Sequence, residues 1–279
     1  TRAKSYQKAS EILSLIGYDI NLQSLDKISK IKGIGINITN KIKELIETGV
    51  IATLEREKLD PIIVLTEIHG IGPKKAQELI EKGILTIQDL KDSDIKLNDI
   101  QKLGLEYYDE ISQRIPREEI QKFEIMFNNV FEKYAPSKSK FEIVGSYRRG
   151  KSSSGDIDII ITNEDNNQNT LDKILEGLEH DKSISIRFLS RGKTKSMAIV
   201  KIEKNGIHRR VDFLYTSPQE YPFALLYFTG SKVFNTVVRQ KANDLGYTLN
   251  EHEISYKQQG VKGKKLEKIC VTSLAFPFR

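Results

Sequence analysis

The 279-residue chain has a single cysteine, Cys270, and four scattered histidines. One thiol cannot close an intrachain disulfide, which points toward a reducing compartment rather than a secreted setting. The same scarcity argues against a Cys/His structural zinc site. Apolar runs are short: none approaches the roughly 18 residues that a membrane-spanning helix needs. The opening segment TRAKSYQKAS lacks the apolar core of a signal peptide. The first residue is Thr rather than Met, which implies a trimmed N-terminus. Charge is only mildly one-sided, with 44 Lys+Arg against 38 Asp+Glu for a formal +6. That balance permits a polyanionic partner such as nucleic acid without demonstrating one. Hydrophobic residues at 38% are enough for true cores, and the length fits about two domains.

What is present is a short repeated element. Ile31-Lys32-Gly33-Ile34-Gly35 precedes a helical pattern ending at Thr48-Gly49, and Ile68-His69-Gly70-Ile71-Gly72-Pro73 precedes KKAQELIEKGI. In the first copy Ile38, Ile42, Leu45 and Ile46 recur at helical spacing; in the second Ala76, Leu79 and Ile80 do. Both read as helix, tight Gly-x-Gly turn, helix. Glycines at 33, 35, 70 and 72 allow a turn whose amides face outward at a helix start, where unpaired N–H groups and the dipole favour a phosphate. This is the helix-hairpin-helix, a sequence-independent grip on a DNA backbone. The plain alternative is two αα-hairpins that need glycine at the bend; recurrence of the same Gly-Ile-Gly turn in a basic chain favours DNA.

Helical spacing continues to about residue 135, with Pro116 starting a new helix, PREEIQKFEIMFNNVFEKY. After Pro136 the period moves toward two, and FEIVG, GDIDIIIT, SMAIVKIE and IHRRVDFLY read as strands. Asn205-Gly206 predicts a two-residue hairpin turn, and the polar segment 163–169 (NEDNNQN) a mobile loop. From Ser217 onward helix and short strands mix, with LLYFTGSKVFNTVVRQKANDLG a turn followed by a helix.

The chemistry is concentrated in FEIVGSYRRGKSSSGDIDIII. Residues two apart in a strand share a face, so Asp156 and Asp158 point one way while Ile157, Ile159 and Ile161 enter the core. Two carboxylates held this close repel unless neutralised, and hard oxygen ligands suit Mg²⁺. Upstream, Gly145-Ser146 and Arg148-Arg149 supply a tight turn, a hydroxyl and two cations, and Gly155 lets backbone approach a ligand. Asp212 lies on a later strand with Arg210 on its face and Val211 and Phe213 opposite. If the two strands pair, three carboxylates converge as two-metal phosphoryl transfer requires. Singly, each feature also reads as a solvated strand end or basic turn; their order and proximity favour nucleotidyl transfer.

Taken together, GSYRRGKSSSGDIDIIIT, YFTGSKVFN, Gly-Tyr-Thr-Leu-Asn-Glu at 246–251, RIPREE and the two hairpins resemble the family X DNA polymerases of the beta and lambda type over almost the whole chain. The resemblance implies that Asp156 and Asp158 bridge two Mg²⁺ ions, with Mn²⁺ able to substitute. Asp212 would bind the catalytic metal and orient the primer 3′-hydroxyl. Ser146, Arg149 and the backbone at Gly155 would hold the β- and γ-phosphates, assisted by Arg114. Tyr227 and Phe228 would flank the sugar, with the backbone there, through Gly230, rejecting a ribose 2′-hydroxyl. Asn235 would reach the minor-groove edge of the incoming base, Arg239 the template strand and Arg210 the DNA. Tyr-Phe in YFTGS, rather than the Gly-Trp of template-independent relatives, favours templated synthesis.

In the first hairpin, a helical wheel puts Lys41 at the edge of the apolar face. A partly desolvated lysine can attack an aldehyde as a neutral amine. The resemblance makes Lys41 the Schiff-base lysine of a 5′-deoxyribose-phosphate lyase, with Tyr6 near it; the residues alone favour a solvated lysine with Glu44 as its partner. Ser29 and Asn37 stand where the family's 5′-phosphate pocket is basic, leaving Arg2 and Lys30, and Thr1 stands in the place of a stacking histidine. Leu214 takes the place of a frequent arginine, and VTSLAFPFR replaces a longer helical ending.

The expected fold is α+β: N-terminal helical helix-hairpin-helix domains, then a nucleotidyltransferase-type mixed α/β palm and a small C-terminal α/β subdomain. The expected divisions are a lyase-like domain at 1–52, a DNA-binding subdomain at 53–115, the palm at 116–225 and a nucleotide-closing subdomain at 226–279. The implied partners are gapped or nicked DNA, whose binding should weaken steeply with salt, and deoxynucleotide triphosphates. A monomer acting away from membranes is expected, in the nucleus if eukaryotic, or in the cytoplasm or virion if viral. Another nucleotidyltransferase of the poly(A)- or CCA-adding type and a non-catalytic DNA-binding scaffold are the competing readings.

Overall fold

The computed structural model describes residues 2–203 and 206–256 and divides the chain into two compact units, 1–97 and 98–279. That boundary falls inside the expected 53–115 segment.

The first unit is helical: α1 (Arg2–Ser14), α2 (Leu25–Ser29), α3 (Ile36–Thr48), α4 (Ala52–Lys58), α5 (Pro61–Thr66), α6 (Pro73–Glu81) and α7 (Ile87–Lys91). The two hairpins are α2–α3 and α5–α6, and their turns are alike. Gly33 and Gly70 take φ of +112° and +87°, Gly35 and Gly72 are extended N-caps of α3 and α6, and the Ile34 and Ile71 amides each donate to the isoleucine three residues back at 3.0 Å. A positive φ is what glycine supplies at no steric cost. Ala9, Ile28 and Ile34 form a small core flanked by Ile38 and Ile42. Leu45, expected on the apolar face of α3, is instead exposed.

The second unit begins with α8 (Asp99–Glu106), whose Asn98 and Gln101 form a reciprocal capping box, and α9 (Tyr108–Ile111). Strand β1 (Ile115–Pro116) leads into α10 (Arg117–Tyr134). Then come β2 (Ser139–Ile143), α11 (Gly145–Arg148), β3 (Ser153–Ser154), β4 (Ile157–Asn163), α12 (Thr170–His180), β5 (Ser185–Arg191), β6 (Lys195–Lys201), β7 (Arg209–Tyr215), α13 (Tyr221–Thr229), α14 (Lys232–Asp244), β8 (Tyr247–Leu249) and β9 (Ile254–Tyr256). Five strands form a mixed sheet in the order β2-β4-β7-β6-β5, in which only β4 and β7 run parallel. Helices α10 and α12 cover one face: Phe123, Phe127, Ile174 and Leu178 pack against Ile157, Ile159, Val211 and Phe213. On the other face Val144, Ile160 and Ala224 of α13 form a smaller cluster. Strand β4 is therefore apolar on both sides beyond its carboxylates, whereas β7 alternates strictly between buried and half-buried residues.

Sequence periodicity leaves β5 and α12 unmarked. Segment 163–169 is the polar connection expected, anchored at its start. Buried Asn163 donates through Nδ2 to the Ser137 carbonyl at 2.8 Å and Ser139 Oγ at 2.9 Å, and its Oδ1 accepts the Asp165 and Asn167 amides at 3.0 and 3.2 Å. One asparagine thus organises the turn by bonding neighbouring backbone. Asn205 lies outside the described residues, but the strands it would join end at Lys201 and resume at Arg209, so the connection is longer than two residues. Cys270, Thr1 and the C-terminal VTSLAFPFR also lie outside them.

Helix α12 meets α10 at Gly177, where an added Cβ would come 2.4 Å from Tyr134 Cδ2 and 3.0 Å from its Cβ. The second contact involves an atom tied to the α10 backbone, so the helices would have to part. Alanine's better helix propensity returns up to about 1 kcal/mol against an overpacking cost of roughly 1–3 kcal/mol or more. Gly177→Ala is expected to lower the unfolding midpoint by several degrees, measured by thermal denaturation.

Candidate active site

Parallel pairing of β4 with β7 sets Asp158 directly opposite Asp212, and Asp156 immediately precedes β4. Carboxylate oxygens of all three lie within 4.8 Å of one another. Burial, then the charges of Asp156 and Asp212, push the Asp158 carboxyl up to about 7, against the pull of Arg210 and Lys195. Desolvation and like charge both disfavour the ionised form of such a group, and a nearby cation relieves them. Arg210, two residues before Asp212 on β7, supplies part of one: its guanidinium is ion-paired with Asp156, and its Nε lies 3.5 Å from Asp212 Oδ1. An all-oxygen trio with surplus negative charge suits a hard divalent cation, and the residues fit such an ion.

The segment between β2 and β4 wraps this group. Gly145, with φ +60°, turns the chain against Asp158, whose Oδ2 would lie 2.3 Å from an added Cβ. Ser146 Oγ donates to Ser154 Oγ at 2.8 Å, Arg149 Nη1 to the Thr229 carbonyl at 2.5 Å, and Arg114 Nη2 to the Ser153 carbonyl at 2.5 Å. Arg114 Nη1 stands 3.5 Å from where a Gly155 Cβ would be. On the opposite wall Tyr227 and Phe228 meet edge to face with centroids 5.1 Å apart. Asn235 Nδ2 donates to the Tyr227 carbonyl at 2.7 Å, which orients the side chain and leaves its Oδ1 as acceptor. Arg239 lies over the Tyr227 ring, bonded to the Leu249 carbonyl at 3.0 Å and 3.5 Å from Glu251. These walls enclose a cleft of about 800 Å³.

The structure thus gathers Asp156, Asp158, Arg114, Ser146, Arg149, Gly155, Tyr227, Phe228, Gly230, Asn235 and Arg239 around one cleft, with Asp212 and Arg210 at its carboxylate end. Lys151 and Lys232 also line it, and Lys195 faces Asp158 and Asp212. Sequence reasoning passed over these three lysines. Lys195 is recognisable only once β6 is paired with β7, and Lys232 only once helix α14 is turned toward the cleft. An anion-binding cation wall facing a trio of carboxylates can hold a polyphosphate at one end and metal at the other, which is the layout of phosphoryl transfer.

In the first unit, Lys41 is half-buried on α3 and has no ion-pair partner among the described residues. Glu44, the partner that spacing suggests, instead accepts the Ala52 amide at 2.8 Å. Tyr6 is 44% exposed, and no hydrogen bond joins it to Lys41. The side chain of Arg2 lies outside the described set.

Three sequence-family models match the chain: "Fingers domain of DNA polymerase lambda" over residues 64–112, "DNA polymerase beta palm" over 114–218 and "DNA polymerase beta thumb" over 224–274. The chain is 31% identical over 298 aligned residues to a protein named DNA polymerase lambda from Arabidopsis thaliana, covering 99% of this chain and 56% of that protein. It is 30% identical to a protein of the same name from Rattus norvegicus, covering 100% of this chain and 51% of that one. The chain therefore spans about half the length of these relatives.

Proposed function

The chain belongs to family X of the DNA polymerases, and from that premise we propose that it is a DNA-directed DNA polymerase filling short gaps in base-excision-type repair. The observation that carries this reading is the in-register opposition of Asp158 and Asp212 on parallel strands, with Asp156 beside them and a cation-lined cleft in front.

In this reading Asp156, Asp158 and Asp212 would hold two Mg²⁺ ions, whose chemistry there would be to lower the pKa of the primer hydroxyl and neutralise the departing pyrophosphate. The protein's own groups do the rest. Arg149, Ser146, Arg114 and the Gly155 backbone bind the triphosphate, and Arg149 exchanges its bond to the Thr229 carbonyl for a phosphate oxygen. Asp212 orients the 3′-hydroxyl. Asn235, already aligned by Tyr227, presents its oxygen to the base edge, while Tyr227 and Phe228 wall the sugar. Arg210, paired with Asp156 and near Asp212, partly neutralises the carboxylates and is a group beside them that could contact DNA. The hairpins hold DNA phosphates, and a cleft built for one nucleotide on a monomer suits gapped or nicked duplex. The four-part division at 1–52, 53–115, 116–225 and 226–279 belongs to the same proposal.

A lyase activity of the first unit is favoured by one observation, the half-buried Lys41 with no ion-pair partner among the described residues. Borohydride trapping on a 5′-deoxyribose-phosphate end, lost in Lys41→Ala, is the expected result.

The test of the main reading is insertion on a one-nucleotide gapped duplex with a 5′-phosphate and Mg²⁺, comparing deoxy- with ribonucleotides and the protein with Asp212→Ala. Templated deoxynucleotide insertion that the substitution abolishes is expected. Template-independent use of ribonucleotides would favour the poly(A)- or CCA-adding reading, and bound DNA without insertion the scaffold reading.

A further inference from the structure

Helix α14 presents Lys232, Asn235, Thr236 and Arg239 to the cleft, the i, i+3, i+4, i+7 spacing of one helical face. Arg239 is balanced by Glu251 and Asn235 is tied to Tyr227, but Lys232 has no hydrogen bond or ion pair to its ammonium among the described residues. It sits on the first turn of the helix, and its N-cap, Ser231, accepts the Phe234 amide. The adjoining Gly230 fixes where this lysine starts. A Cβ placed on Gly230 would lie 3.3 Å from Arg149 Nη1 and 3.6 Å from the Lys232 amide nitrogen. The Lys232 backbone and the guanidinium assigned to the phosphates thus lie close to one position, within the span of a four-carbon side chain. Asp156 and Asp158 lie across the same cleft, so an anion carrying divalent cations has its negative oxygens turned toward this wall.

We propose that Lys232 binds the phosphate chain of the incoming nucleoside triphosphate, a second point charge beside the forked Arg149. The inference rests on the polymerase reading and deepens it. A flexible ammonium contacts phosphate without regard to the base, so it strengthens binding of all four nucleotides alike.

The deciding experiment measures insertion kinetics on the one-nucleotide gapped duplex for each deoxynucleotide, together with inhibition by pyrophosphate, for the protein, Lys232→Ala and Lys232→Arg. Lys232→Ala is expected to raise KM about tenfold for all four nucleotides, to carry most of the fall in kcat/KM there, and to weaken pyrophosphate inhibition by a similar factor. Lys232→Arg should restore both. Unchanged KM overturns the inference. So does a KM rise with unchanged pyrophosphate inhibition, which would move the contact to the base or sugar, or a matching loss of gapped-DNA affinity without nucleotide, which would move it to DNA. If the unmodified protein inserts nothing, the polymerase reading fails instead. Equilibrium binding of pyrophosphate with Mg²⁺ then decides: tenfold weakening in Lys232→Ala supports the inference, and equal affinity overturns it.

Discussion

Replacing Asp158 with asparagine is expected to abolish nucleotide insertion, by about 10³-fold or more, while making the metal-free protein more stable at pH 8. The two effects have one cause. Burial and the neighbouring Asp156 and Asp212 hold the Asp158 carboxyl at about 7, against a reference of 3.8. A carboxyl whose folded pKa lies above its unfolded one costs nothing well below pH 4, where both states keep the proton, and little at pH 4 itself, where only the unfolded chain has begun to ionise. As pH rises toward 7 the unfolded chain releases its proton first, and stability falls; above 7 the loss is constant. Three pKa units correspond to at most about 4 kcal/mol, and partial solvent access and the Arg210 cation reduce the observable gain to roughly 1–3 kcal/mol. Asparagine keeps the shape and removes the charge. The unfolding midpoints of the two proteins should therefore be close at pH 4 and diverge up to pH 8 in chelator, with the asparagine form higher. With millimolar Mg²⁺ the order should reverse, because the unsubstituted trio binds the cation more tightly than two carboxylates and an amide do. A variant less stable than the parent at pH 8 in chelator would show that the carboxylates are not in conflict.

Gly145→Ala should be the most damaging methyl group that can be added to the cleft. The residue combines φ +60° with a Cβ position 2.3 Å from Asp158 Oδ2. Left-handed backbone alone costs an alanine about 1 kcal/mol. The larger effect is displacement of the carboxylate, and catalytic groups tolerate misplacement of only about 1 Å before losing some 10²-fold. Loss of 10²- to 10³-fold in kcat/KM is expected, together with loss of the Mg²⁺-dependent rise in unfolding midpoint. Gly150→Ala separates the two causes: its φ is +76°, but nothing lies within 4 Å of the added carbon. It should lose the same increment of stability and retain insertion. Equal damage from both substitutions would mean that backbone strain, and not the Asp158 contact, matters.

Much of this fold was written locally. The repeated Gly-Ile-Gly turns predicted two hairpins with the same backbone course, because only glycine takes a positive φ at Gly33 and Gly70 without cost. Alternation in IHRRVDFLY announced a half-buried strand with Arg210 and Asp212 on one face, and β7 has that burial. Asp-Ile-Asp announced a shared carboxylate face. Segments with no periodic signature of their own, β5 and the helix α12 behind the NEDNNQN turn, escaped; α12 becomes necessary only because the apolar back of β4 needs covering.

The sequence by itself determined which residues are chemically equipped: three aspartates, an arginine-rich turn, and glycines where backbone must come close. Those are properties of short stretches, read from period and turn chemistry. Only the tertiary structure decided that Asp158 faces Asp212, that Arg210 turns to the carboxylates, and that Lys232, 74 to 76 residues along the chain from the first two aspartates, shares their cleft. Strand register and helix rotation arise from burying apolar faces between distant segments, so polar groups carried on those segments meet at positions that no local pattern encodes.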